Sequence, residues 1–215
     1  MLRVDELQAS SAPQTENIHL LILGQRIDIQ CPDLAIRRIL INNFGAMTVA
    51  SPSTPRPDLR YAIDRGPSPC EIAFNRHGEP PTQAEDEAVF LHLLEQDLVI
   101  QLQRNRPDLF FLHSAAIEWG GRAVLLAAES GAGTSTTTLG LLHHEFAYLS
   151  DELSPVDITT LDVAPYPHAL CLKRRPAAYP LPDSAIDLGR TLHVPAAALP
   201  TRVVDGPTPL GAVIL

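Results

Sequence analysis

The chain has 215 residues, 45% of them hydrophobic and 19% charged, which allows one large domain or two small ones with a buried core and excludes global disorder. The net charge of −9 argues against a general nucleic-acid binder, because phosphate backbones call for a basic face. One basic residue is a lysine, Lys173, and the other fifteen are arginines.

Three cysteines, Cys31, Cys70 and Cys171, stand far apart without a CxxC pair, which suits reduced thiols. The N-terminal stretch is acidic and polar and holds no apolar core of signal-peptide length. No run reaches the roughly 18 apolar residues that a bilayer span requires. These features predict a soluble cytoplasmic protein with no nucleic-acid or membrane partner.

Residues 1–17 read as a loose leader. Ile18–Leu23 is an apolar run, and Arg26–Gln30 alternates as a strand does, so Gly24-Gln25 is expected to turn a hairpin. Asp33 suits the cap of a helix from Leu34 to about Asn43. The proline-rich stretch Ser51–Asp58 must be loop. Arg60–Asp64 and Cys70–Asn75 read as strands around a Gly66-Pro67 turn. Thr82 then suits the cap of a long helix from Gln83 to about Arg104. Its apolar face is Ala84, Ala88, Leu91, Leu94, Leu98 and Leu102, and His92 lies beside that stripe as a solvated residue.

From Leu109 the texture changes. Leu109–Ala116 and Ala123–Ala127 are compact apolar runs split by Gly120-Gly121. A glycine-rich loop follows, then a helical stretch Ser135–His144, then a short run Tyr148–Leu153. Strand, loop, helix, strand is the order of an α/β nucleotide-binding unit. This divides the chain into an α+β region with its long connecting helix, 1–106, and a nucleotide-binding core, 107–215.

The loop Ala128-Glu129-Ser130-Gly131-Ala132-Gly133-Thr134-Ser135 gives A-x-x-x-x-G-T-S where a phosphate loop reads G-x-x-x-x-G-K-[ST]. Gly131 and Gly133 let successive amides point inward, and the following helix adds its positive end, so the stretch suits an anion. Ser135, followed by Thr136, stands where a hydroxyl ligates magnesium on nucleotide phosphates. The lysine position holds Thr134, which offers a hydroxyl and no charge. Losing such a contact costs about 10² to 10³ in rate, and Lys173 or an arginine is the available replacement. The same small residues also suit a plain polar turn into a helix. Asp151 and Glu152, at the end of a short strand, suit metal binding or general-base work, and equally an exposed acidic turn. His113, alone in its strand, fits a partly buried residue as well as a ligand. Adjacent His143 and His144 face different ways and form no metal pair, and the basic, proline-rich Arg174–Pro182 reads as an ordered connector, with a partner-binding loop as the alternative.

Taken together, the run from Phe111 to Asp157 resembles the core of HPr kinase/phosphorylase and its HPr-kinase-related relatives. Their pattern is a histidine-bearing strand, a G-R-x-x-L-L strand, an S-G-x-G-K-S-T loop and a Y-L-S-D-D segment. His113, Gly131, Gly133, Ser135, Thr136 and Asp151 match it, Glu152 replaces the second aspartate and Thr134 the lysine. The stretch Pro165–Lys173 resembles the later P-x-P-R-P-L-x-L-K segment, and Leu210–Leu215 resembles a following core strand that the family lobe continues past. About half of the chain is covered.

The resemblance implies an α/β fold with a P-loop, HPr-kinase-like core behind a small N-terminal α+β region, acting as an ATP-dependent serine kinase. Residues 129–136 (Glu129, Ser130, Gly131, Ala132, Gly133, Thr134, Ser135 and Thr136) would hold the ATP phosphates. Asp151 would be the base, Ser135 and Glu152 would lie at magnesium, His113 near the transferring phosphate, and Lys173 near phosphate or substrate. The acceptor would be a serine-type hydroxyl on a protein, peptide or small molecule, and homo-oligomers are expected. The replaced lysine supports a second expectation, a catalytically impaired nucleotide-binding protein with a regulatory or scaffolding role. A third is a structural remnant that binds nothing.

Overall fold

The computed structural model describes residues 17–50, 56–66, 68, 71–129 and 131–215. The expected leader, most of the proline-rich loop, Pro67 of the second turn, Cys70 and the loop residue Ser130 lie outside the described residues. The fold is mixed α/β.

The first half builds a five-stranded sheet from β1 (Ile18–Ile22), β2 (Gln25–Gln30), β3 (Leu59–Arg65), β4 (Ile72–Arg76) and β5 (Thr82–Ala84), ordered β1-β2-β3-β4-β5. Only β2 and β3 run parallel, and helix α1 (Leu34–Phe44) makes the crossover between them. Alternate residues of the strands, such as Ile18, Leu20 and Ile22, or Tyr61 and Ile63, face a core completed by α1 and by α2 (Glu87–Asn105). The helical stripe is as expected at Leu91, Leu94, Leu98 and Leu102, and His92 is exposed.

The start of α2 differs from expectation. Thr82, Gln83 and Ala84 pair with Phe74, Ala73 and Ile72 as a strand. The helix is capped instead by Asp86, whose Oδ1 accepts the Val89 N–H at 2.7 Å. An open sheet edge beside β4 captured three residues whose apolar spacing also fits a helix. The first hairpin turns at Leu23-Gly24 rather than Gly24-Gln25. Asp33 caps α1 as expected, accepting from the Ile36 N–H at 2.9 Å.

The second half builds a seven-stranded sheet from β6 (Leu109–Leu112), β7 (Ala115–Trp119), β8 (Arg122–Leu126), β9 (Ala147–Ser150), β10 (Ser154–Asp157), β11 (Asp162–Val163) and β15 (Thr208–Ile214). Its order is β6-β10-β11-β15-β8-β7-β9, and β8 and β15 are parallel neighbours. A small sheet, β12 (Leu170–Leu172), β14 (Leu192–Val194) and β13 (Ile186–Asp187), stands apart. Helix α3 (Thr134–Leu142) packs between β7 and β12. Strand β7 is buried on both faces: Ala115 and Ile117 join the α3 side, and Ala116 joins the opposite core. That double burial explains its consecutive apolar residues Ala115, Ala116 and Ile117, which Glu118 ends.

Two apolar runs read as continuous are broken. Leu109–Ala116 bends at His113-Ser114, so β6 lies at one edge of the sheet and β7 next to the other. Ser114 is fixed there by Ser154, whose hydroxyl donates to the Ser114 carbonyl at 3.0 Å while the Ser114 hydroxyl donates to Ser154 at 2.9 Å. The Tyr148–Leu153 run likewise leaves the sheet after Ser150, releasing Asp151 and Glu152 from strand geometry.

The two halves are joined through polar groups. His168 Nε2 and Glu95 Oε1 of α2 are 2.5 Å apart. The Ala169 N–H donates to the Asn43 carbonyl at 2.9 Å, and Asn42 Nδ2 donates to the Ser184 carbonyl at 2.8 Å.

Candidate functional site

Strand β8 ends at Leu126, and the chain turns through residues 127–133 before α3 begins at Thr134. Ala132 N–H donates to the Glu129 carbonyl at 3.0 Å, closing a tight turn. Gly131 and Gly133 have φ values of 98° and 99°, in the left-handed region that side chains resist. A Cβ at either would meet nothing within 4 Å, so conformation, not crowding, calls for glycine at both. Gly133 is the N-cap of α3 and supplies no side-chain cap. The first amides of the helix have no intrahelical acceptor, which leaves them for an anion.

The loop opens onto a cavity of about 460 Å³. Its floor is the loop and the first turn of α3, from Ala128 and Glu129 to Thr136. It is also bordered by His113, Asp151, Glu152, Cys171, Lys173, Arg174 and Thr191. A second hollow of about 440 Å³ lies over the open face of the first sheet, lined by Asp28, Gln30, Arg60, Asn75 and His77 among others, but it has no buried, unpartnered acid.

Asp151 borders the larger cavity. It is only 2% exposed. Oδ2 accepts the main-chain N–H of Cys171 at 2.9 Å, whereas Oδ1 is buried without a hydrogen-bond partner. Burial raises its carboxyl to about 7, the Cys171 N–H opposes that rise, and the charge of Glu152 adds to it. The neighbouring Ser135 hydroxyl favours the ionised form but makes no bond of good geometry to Oδ1. A carboxyl set near neutrality suits proton transfer.

Ligand atoms of Asp151, Glu152 and Cys171 lie within 4.8 Å of one another. Two carboxylates beside a serine hydroxyl suit a hard cation such as magnesium, and a buried oxygen without a partner is consistent with one. Cys171 fits that role poorly. Burial pushes its thiol well above the ordinary range, and Sγ donates to the Ala169 carbonyl at 3.4 Å.

His113 is exposed and sits in the bend between β6 and β7, not within a strand. Its Nδ1 is 3.0 Å from the Glu152 carbonyl, so a neutral ring donates there and turns Nε2 outward as an acceptor. His143 and His144 are exposed, and His143 stacks on Tyr179 at 4.4 Å. The connector 174–182 contains no helix or strand.

Most of the residues singled out from sequence thus border one cavity: His113, Glu129, Gly131, Gly133, Thr134, Ser135, Thr136, Asp151, Glu152 and Lys173. Ala132 belongs to the turn but does not border it. Three further residues were not anticipated. Cys171 contributes its main chain, and the proline-bounded segment before it was the available signal. Arg174 opens a basic, proline-rich stretch whose sequence suits a connector or a partner-binding loop and does not single it out. Thr191 lies in a stretch with no distinctive spacing.

No protein-family model matches the chain, and no curated protein or solved structure matches it. Among the described residues no helix is long and apolar enough to cross a membrane.

Proposed function

We propose that this is a cytoplasmic, HPr-kinase-related P-loop protein that binds ATP and transfers its γ-phosphate to a serine hydroxyl. The observation that carries the reading is Asp151: a buried carboxyl near neutrality, with one oxygen anchored and one unpartnered, on the same cavity as a glycine loop opening a helix.

In this reading the amides from Gly131 to Ser135 hold the nucleotide phosphates. Magnesium, when bound, would neutralise charge on the phosphate oxygens, and Ser135 and Glu152 would hold it. Asp151 takes the proton of the acceptor hydroxyl as the new oxygen–phosphorus bond forms. The bond from the γ-phosphorus to its bridging oxygen breaks, and ADP leaves. His113 lies near the transferring phosphate, and Lys173 and Arg174 supply the positive charge that Thr134 lacks.

The neutral side chain of Thr134 favours one alternative, a nucleotide binder with little catalysis and a regulatory or scaffolding role. Titration with MgATP, followed by a phosphotransfer assay on wild type and Thr134→Lys, separates the two. The kinase reading expects MgATP binding and measurable transfer that rises about 10² to 10³ in the variant. Binding with no transfer in either protein supports the alternative, and no binding at millimolar MgATP overturns both.

A further inference from the structure

The proton positions on one wall of the cavity follow from a chain of hydrogen bonds that starts in α1. Asn43 Nδ2 donates to the Ile39 carbonyl at 2.8 Å, which fixes the orientation of the amide. Its Oδ1 therefore faces His193, 2.7 Å from Nδ1. A carbonyl oxygen only accepts, so His193 Nδ1 carries a hydrogen. The Cys171 sulfur, 3.4 Å from the same Nδ1, does not alter this, because its own hydrogen goes to Ala169. His193 is buried, and burial lowers its pKa to about 4, so the ring is neutral and Nε2 is a bare acceptor. Thr191 Oγ1 lies 2.7 Å from Nε2. Thr191 must donate its single hydroxyl hydrogen to that nitrogen, and its lone pairs are what it offers the cavity it borders.

We propose that Thr191 is a specificity-determining residue that accepts a hydrogen bond from the phosphate acceptor. The inference rests on the cavity being a phosphoryl-transfer site. The hydrogen of the reacting hydroxyl goes to Asp151, so the donor that Thr191 recognises is a second one, the N–H beside the reacting serine. The loop and the start of α3 present donors for an anion, whereas Thr191 and Asp151 present acceptors for the molecule to be phosphorylated, in a cavity that Lys173 and Arg174 also border. His193 and Asn43 act as positioning residues, because they set which way the Thr191 hydroxyl points.

The test uses the full chain and two probes, N-acetylserine methyl ester and its N-methyl analogue, which lacks the N–H. Affinities are read by NMR titration in wild type, Thr191→Val and Thr191→Ser, with MgATP affinity measured alongside. Wild type and Thr191→Ser should prefer the N–H ester by about fivefold, a typical single hydrogen bond. Thr191→Val should treat both esters alike while keeping its MgATP affinity. The imidazole nitrogen shifts of wild type should show His193 protonated at Nδ1 and bare at Nε2. A wild type that binds neither ester or does not discriminate overturns the proposal, as does discrimination that survives in Thr191→Val, or a hydrogen on Nε2. Loss of MgATP binding with ester discrimination intact would instead sink the kinase reading and leave the donor preference of Thr191 standing.

Discussion

The carboxylate of Asp151 hangs from the main-chain N–H of Cys171 at 2.9 Å, so a strand of the small sheet stands directly behind the proposed base. The anchor is a backbone group and survives side-chain substitution on either side. It fixes Oδ2 and leaves Oδ1 buried without a partner.

Asp151→Asn retains an oxygen for the Cys171 N–H but cannot take a proton. Single-turnover phosphotransfer is expected to fall by about 10² to 10⁴, the usual contribution of a general base. MgATP affinity, measured by calorimetry, should stay within about threefold, because the lost interaction acts in the transition state. Unchanged transfer would remove Asp151 from the chemistry.

The same residue predicts a pH effect on stability. Its carboxyl is raised from 3.8 to about 7 in the fold, so the folded state holds this proton more tightly than the unfolded chain. Rising pH between those values therefore destabilises the protein, by about 1.4 kcal/mol per pH unit from this group, and the effect levels off above the folded value. Urea unfolding of wild type and Asp151→Asn across roughly pH 5 to 8 should show the difference moving in the variant's favour as pH rises.

Glu95 and His168 couple the two halves. Burial opposes charge on His168, but the charge and hydrogen bond of Glu95 outweigh it, and the imidazole pKa is raised. A raised folded pKa stabilises fully below the ordinary histidine range, and the benefit is lost as pH climbs through the folded value. Glu95→Gln should cost about 3 kcal/mol at mildly acidic pH, as expected when a buried pair loses one partner. The cost should shrink in alkaline buffer, where His168 is neutral. Chemical denaturation at the two pH values reads both numbers.

Gly133→Ala forces a side chain into the left-handed region at the N-cap of α3. Nothing blocks the added methyl, so the cost is conformational, about 1–2 kcal/mol. Differential scanning calorimetry should show the corresponding fall in Tm. Phosphate-loop binding should weaken with it, because the amides of the following turn are re-aimed; an unaltered MgATP affinity would show that this turn does not hold the nucleotide.

Much of the candidate site was legible because it is local. A glycine loop between an apolar strand and a helix needs only neighbouring residues to define it, and Asp33 revealed the start of α1 for the same reason. What stayed hidden depends on distant partners. Thr82–Ala84 carries apolar spacing that fits a helix, and only the edge of β4 makes it a strand. The break at His113-Ser114 is set by Ser154, forty residues away. The path from Asn43 to His193 spans 150 positions, so no reading of spacing near Thr191 could show that its hydroxyl is committed.

Lys173 is the chain's sole lysine, and it is exposed on the rim of the cavity. Apart from the α-amino group, a reagent that acylates primary amines finds its target at this one place. A fluorophore attached there would report occupancy of the cavity directly, and protection of the amine by a bound molecule could be read by intact mass. An arginine-rich, lysine-poor composition thus gives this protein a built-in address for covalent probes.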